Sequence, residues 1–251
     1  MIPLRDQDYV RDRFARGLEG KVKIDLFTQR ASALYVPGRE ECATCDDARK
    51  LLEELAALSD KVSLTVHEFA DAPDEAAKLG VDKVPGIVLR GPANRPLRFF
   101  GVPGGNEFPT FIETIIEASK PSTAASVDAA KHLKKLKDRV AVDVYVTPTC
   151  PHCPGVVRAL FRLALASTKV DARAIEINEF PRLAQQLGVR AVPMTVFNNT
   201  SAIAGALDEA SLAEAAVKAA SGRSVDGGDG SATTAAATPE RPPSGGLIIP
   251  R

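Results

Sequence analysis

Val146-Thr147-Pro148-Thr149-Cys150-Pro151-His152-Cys153-Pro154 sets two cysteines three positions apart, between an alternating apolar run (Val140 to Val146) and a run with helical spacing (Val156 to Ala166). A strand that passes into a helix through a Cys-x-x-Cys is expected here. The same design stands 108 positions earlier, at Cys42-Ala43-Thr44-Cys45. In both copies a Val-Pro pair follows, Val84-Pro85 and Val192-Pro193, with the proline 43 positions after the first cysteine. Pro73 and Pro181, Ala76 and Ala184, and the tripeptides Leu79-Gly80-Val81 and Leu187-Gly188-Val189 keep the same 108-residue offset. Such agreement at one offset makes the chain a tandem repeat of a single dithiol unit.

The repeat divides the 251 residues into a first unit, 1–120, a second, 121–221, and a remainder, 222–251. Each unit has an ordinary size for an autonomous domain, and an apolar fraction of 45% supplies material for real cores. The remainder is rich in Gly, Ser, Thr, Ala and Pro without periodicity and is expected to lack order. Thirty-two basic and 32 acidic residues balance, so no whole-molecule field gathers nucleic acid or anionic lipid. No apolar stretch reaches the roughly 20 residues needed to span a bilayer. The opening Met1-Ile2-Pro3-Leu4-Arg5-Asp6-Gln7 is charged where a secretory signal would be apolar. A soluble, cytoplasmic protein is expected, and in a reducing compartment four cysteines confined to two motifs read as reactive thiols rather than structural disulfides.

Period and punctuation give the element order. In the first unit a leading helix at about Asp6 to Leu18 precedes a strand at Lys21 to Phe27, a helix from Cys42, and a strand at Val62 to Phe69. A short helix from Pro73 to Gly80, strands at Gly86 to Leu89 and Leu97 to Phe100, and a helix at Phe108 to Ala118 complete it. The second unit repeats the order, with a leading helix at Lys131 to Lys137, strands at Val140 to Val146, Val170 to Ile177, Met194 to Phe197 and Ile203-Ala204, and helices at Val156 to Ala166, Pro181 to Leu187 and Leu207 to Ala219. The offset widens to 118 between Asp25 and Asp143, so the first unit carries about ten extra residues in the loop before its cysteines.

A cysteine directly before a helix is activated by the unpaired N–H groups and positive end of that helix, which stabilise the thiolate that attacks a disulfide. The second cysteine, one turn on, can then resolve the mixed disulfide. Cys42 and Cys150 are the expected attacking thiols, with Cys45 and Cys153 resolving. Pro151 suits an early helical position, and His152 adds a donor or positive charge. The first motif is flanked instead by Glu40, Glu41, Asp46 and Asp47, which repel a thiolate. The two sites are expected to differ, the first being the more reducing.

Other readings compete. Two Cys-x-x-Cys pairs contain enough ligands for one zinc ion, but zinc modules place their pairs much closer than 108 residues. Asp25 and Asp143, near strand starts, read as solvated ends, with proton transfer to a sulfur as the sharper alternative. Glu68 and Glu176 have the same status, and His67 and His132 show no partner in the sequence. The Val-Pro pairs alone are compatible with ordinary turns.

Together with Phe100-Gly101-Val102-Pro103-Gly104-Gly105, these motifs resemble the glutaredoxin-like protein disulfide oxidoreductases of archaea and thermophilic bacteria, over about Leu4 to Ala220. The resemblance implies an α/β chain of two tandem thioredoxin-like folds, each a mixed central sheet flanked by helices. It further implies that Pro85 and Pro193 are cis prolines facing the sulfurs and, with Val84 and Val192, helping to dock an extended substrate backbone. Thiol–disulfide exchange on protein disulfides and dithiols is implied, with a thioredoxin-reductase-like flavoenzyme as one candidate electron source; no metal or cofactor is expected. A dithiol relay serving a peroxidase is the alternative, and a thiol metal-binding protein a more distant one. The loop from Gln29 to Glu40, His152 in place of an aromatic residue, and the low-complexity tail depart from the family pattern.

Overall fold

The computed structural model describes residues 2–30 and 41–225. Residues 31–40 of the long loop, Glu40 included, and residues 226–251 of the tail lie outside the described residues.

The first half runs α1 (Leu4–Gly17), β1 (Val22–Thr28), α2 (Cys45–Ala56), β2 (Val62–Glu68), α3 (Pro73–Leu79), β3 (Gly86–Arg90), β4 (Leu97–Phe100) and α4 (Glu107–Ala118). The second runs α5 (Val127–Leu133), β5 (Val140–Val146), α6 (Cys153–Ala166), β6 (Val170–Glu176), a 3-10 turn (Ile177–Glu179), α7 (Pro181–Leu187), β7 (Met194–Phe197), β8 (Ser201–Ala204) and α8 (Glu209–Ala220). The short helices α3 and α7 show why the repeat kept its punctuation. Each starts on a proline that forgoes an unpaired N–H, and each ends on a glycine, Gly80 or Gly188, in the left-handed conformation at φ +68° and +62°. One element is displaced from its expected place: the leading helix of the second half lies at 127–133, not 131–137. Ser126 supplies the reason, because its side chain accepts from the Ala129 N–H and fixes the helix start.

The strands form one sheet in the order β2-β1-β3-β4-β6-β5-β7-β8. The strand β1 is parallel to β2 and antiparallel to β3, which is antiparallel to β4. The halves join where β4 pairs in parallel with β6, which pairs in parallel with β5. It follows that β1 and β5 run in the same direction and end, at Thr28 and Val146, on the same edge of the sheet. Four strand spacings separate them, roughly 19 Å before twist.

Alternation along the strands decides what lies on each face. Ile24, Leu26, Val142 and Val144 point into the larger core, beneath α2, α4, α6 and α8. Phe27, Val88, Phe100, Tyr145 and Ile175 point the other way, beneath α3 and α7. Asp25 and Asp143 share that second face, and neither is a solvated strand end: both are buried. Asp25 accepts from Arg90 at 2.5 Å, lies 2.9 Å from His67 Nε2 and pairs with Lys23 at 3.2 Å. Burial pushes its carboxyl up, but the bonds from His67, Arg90 and Lys23 outweigh burial and leave it below the usual range. His67 thus has a partner that the sequence hid, and its ring stacks on Phe27 at 4.7 Å.

The hairpin between β3 and β4 packs tightly against the end of α4. A Cβ added at Gly91 would lie 1.6 Å from the Ala118 carbonyl oxygen. Gly91→Ala is therefore expected to destabilise the protein by about 1–3 kcal/mol through a backbone shift. Gly155, inside α6, meets nothing within 4 Å, and Gly155→Ala is expected to stabilise by about 0.5–1 kcal/mol. Urea unfolding of both variants measures the contrast, and equal midpoints would contradict it.

Candidate functional site

Both cysteine pairs stand where a strand hands over to a helix. The strand β1 leads to the pair before α2, and β5 leads to the pair before α6. Each pair is closed as a disulfide, with Cα atoms 5.5 Å apart. Cys45 and Cys153 are 1% and 0% exposed, Cys150 is 7% exposed, and Cys42 is partly exposed. The first cysteine of each pair is thus the one that an outside disulfide could reach. At the second site the Cys153 N–H, at the start of α6, donates to Cys150 Sγ over 3.2 Å, which is the contact that would stabilise a Cys150 thiolate. At the first site the Gln29 side-chain oxygen accepts from the Cys42 N–H at 2.8 Å, and the Gln29 N–H donates to Cys45 Sγ at 3.3 Å.

The Val84-Pro85 and Val192-Pro193 peptide bonds are both cis. Cys150 Sγ lies 3.7 Å from the Val192 carbonyl oxygen, so the loop before β7 borders the second sulfur pair. A groove of about 370 Å³ opens beside it, lined by Thr147, Ile177, Asn178, Pro181, Arg190 and Val192. The repeat places Asp82 and Lys83 at the positions of Arg190 and Ala191. In the first half these two residues are engaged instead with Arg173 and Phe100 of the junction.

The sequence-predicted acidic neighbours of the first site, Glu41, Asp46 and Asp47, are exposed. Solvent and salt therefore screen their effect on Cys42. His152 and Pro151 are exposed as well, at the mouth of the second site. Asp25 and Asp143 lie on the sheet face away from the body of α2 and α6. Glu68 accepts from the Arg30 N–H at 3.1 Å. Glu176 is buried and raised above its usual range, first by burial and then by the charge of Glu179. With roughly four strand spacings between them, the two cysteine pairs do not converge on one ion, and among the described residues no cluster of three or more His, Cys, Asp or Glu could hold a metal.

Two residues near the junction of the halves escaped sequence reasoning, Glu107 and Glu179. Glu107 opens α4 of the first half yet is 1% exposed, with neither carboxylate oxygen hydrogen-bonded. The neighbouring Asn106 N–H donates to the Pro148 carbonyl at 2.9 Å, two residues before Cys150, and α4 packs along α6. This close approach requires Gly105, which has φ +56° and whose added Cβ would stand 2.4 Å from the Pro148 oxygen. Glu179, from the second half, accepts from the Thr44 hydroxyl inside the first motif and from the Val102 N–H at 2.6 Å. Acidic residues at helix starts or in turns ordinarily read as solvated, so nothing in the sequence marked either one.

The thioredoxin domain family matches residues 140–217. Thioredoxin of Methanocaldococcus jannaschii is 32% identical over 81 residues, 32% of this chain and 95% of that protein. The F subunit of alkyl hydroperoxide reductase from Xanthomonas campestris pv. phaseoli is 29% identical over 149 residues, 59% of this chain and 26% of that protein. The chain thus spans between about a quarter and a third of the length of the alkyl hydroperoxide reductase relatives it matches. A solved protein disulfide oxidoreductase from Aeropyrum pernix superposes with a TM-score of 0.78 at 23% identity, over 91% of this chain and 97% of that one.

Fold and site together define a chain of tandem thioredoxin folds, each with a Cys-x-x-Cys pair at a helix start. The chain belongs to the thioredoxin family.

Burial pushes the Glu107 carboxyl up to about 7. Because the folded value lies above the unfolded one, near 4.5, this group favours folding fully only below pH 4.5, and that contribution is lost as pH rises through about 7. Glu107→Gln is expected to remove the dependence, so that the parent loses on the order of 3 kcal/mol more than the variant between pH 4.5 and 8. Urea unfolding at a series of pH values measures this, and parallel pH profiles would contradict it.

Proposed function

We propose that the chain is a protein disulfide oxidoreductase in which both Cys-x-x-Cys pairs exchange with protein disulfides and dithiols. The observation that carries this reading is the placement of two cysteine pairs at helix starts, the first cysteine of each less buried than the second, on one edge of one sheet, each with a Val-Pro pair whose proline lies 43 positions after the first cysteine. In the reducing direction, a Cys150 thiolate attacks one sulfur of the substrate disulfide and expels the other as a thiolate. A Cys153 thiolate then attacks Cys150 Sγ, the second substrate thiolate leaves, and the Cys150–Cys153 disulfide holds the two electrons' worth of oxidation. Cys42 and Cys45 take the corresponding roles at the first site. Val84-Pro85 and Val192-Pro193 offer backbone for an extended substrate segment, while Pro151 and His152 tune the second pair.

The units 1–120 and 121–221 act as two domains of this machine, without metal or cofactor. A thioredoxin-reductase-like flavoenzyme is the proposed electron donor, and the cytoplasm the proposed setting. No helix among the described residues is long and apolar enough to cross a membrane. The open groove beside Cys150, whose counterpart residues in the first half are engaged at the junction, favours the second site for substrate turnover.

A second reading, a dithiol relay to a peroxidase, is favoured by the similarity to the F subunit of alkyl hydroperoxide reductase. In it one pair serves only to recharge the other. Reduction of the interchain disulfides of insulin, with glutathione or dithiothreitol as donor, separates the two. Cys150→Ser is expected to lower that rate about tenfold or more by removing the helix-activated thiolate, and Cys42→Ser to lower it less. Equal losses would remove the asymmetry. A parent protein inert toward insulin would leave the relay as the standing reading.

A further inference from the structure

Thr44 occupies the N-cap position of α2, where a threonine ordinarily turns its hydroxyl onto its own helix. It makes no such bond. Its hydroxyl donates instead to Glu179, a residue 135 positions away in the other half. Glu179 is partly buried, and its second oxygen accepts from the Val102 N–H at 2.6 Å, in the turn that follows β4. Both oxygens are therefore fixed, and the carboxylate is held against the start of the helix that carries Cys45. The equivalent N-cap of α6 is His152, which is exposed.

We propose that Glu179 is a positioning residue for the first cysteine pair: it anchors the Cys42-Ala43-Thr44-Cys45 turn and makes its disulfide the harder of the two to reduce. The positive end of α2 is the feature that would stabilise a Cys42 thiolate. A carboxylate already seated there takes up part of that stabilisation and repels a second negative charge nearby. The reduced form of the pair loses support while the neutral disulfide does not, so the equilibrium with an external thiol moves toward the disulfide. The exposed Glu41, Asp46 and Asp47 act in the same direction but from solvent, whereas Glu179 acts from a fixed, partly buried position. The second half thereby sets the redox poise of the first.

This inference rests on the reading of both pairs as exchanging disulfides. The test uses the full chain with Cys150→Ser and Cys153→Ser, so that only the first pair titrates against reduced and oxidised glutathione. Glu179→Gln keeps size and hydrogen-bonding capacity but removes the charge. It is expected to shift the equilibrium at least about threefold toward the reduced pair, or about 14 mV for a two-electron couple. Thr44→Ala removes the donor that holds the carboxylate in place and is expected to shift it the same way by less. An unchanged constant in both variants, with exchange intact, overturns this inference alone. A first pair that fails to exchange with glutathione even in the parent overturns the exchange reading and this inference together.

Discussion

The parallel pairing of β4 with β6 is the contact on which the rest of the molecule depends, because it turns two four-stranded halves into one sheet. Its register sets Arg98 opposite Arg173, an apposition that would repel if left unanswered. Each arginine is answered from across the junction. Arg98, of the first half, pairs with Asp171 of the second at 2.6 Å, and Arg173, of the second, pairs with Asp82 of the first at 2.9 Å. Arg173 also faces Asp143 at 3.6 Å and lies over the Phe100 ring at 4.7 Å, with Lys83 on the same ring at 4.5 Å. Burial pushes Asp82 up, yet Lys83 and Arg173 bring it down to about 2. Buried pairs of this kind add little net stability over an apolar contact, but removing one partner costs about 3–5 kcal/mol. Reciprocal pairing therefore fixes which strand edges meet, and in which register.

That register has a chemical consequence. Since β4 and β6 are parallel, β1 and β5 point the same way and both disulfides sit on one edge. The segments that leave this edge are brought together as well: the 101–106 turn after β4 and the 177–179 turn after β6. The first presents Asn106 to Pro148 beside the second site, and the second presents Glu179 to Thr44 at the first. Neither site is built by its own half alone. The halves follow one another head to tail along the sheet, with the last strand of the first beside the β2-equivalent of the second, so each half surrounds the other's sulfurs with different groups.

The asymmetry between the sites changes character in the light of this arrangement. In the sequence it rests on charges adjacent to the motifs, but Glu41, Asp46, Asp47 and His152 all face solvent, where screening weakens them. The groups with fixed geometry come from a distance. Glu107 is buried without a hydrogen-bond partner near one site, and Glu179 is tied by both oxygens at the other. A low-dielectric or fixed position gives a charge more influence than proximity along the chain does.

Much of the protein was legible in the sequence, for identifiable reasons. The two Cys-x-x-Cys motifs, the Val-Pro pairs and the proline and glycine punctuation of α3 and α7 are local signals, each acting through its own backbone or the next helical turn. They fixed the repeat, the element order and the placement of the cysteines at helix starts. The misplaced α5 was a failure of the same local kind, where the Ser126 cap outweighed the spacing of apolar residues. The partners of Asp25, His67 and Thr44 and the burial of Glu107 were not legible, because they depend on which strand lies beside which and on which face a side chain emerges. Parity along a strand gives alternation but not the identity of the face, and parallel pairing between halves leaves no mark at either strand. The sequence by itself determined two dithiol units of one fold. Only the tertiary structure, through the β4–β6 register and the burial it imposes, decided that each unit would complete the other's site.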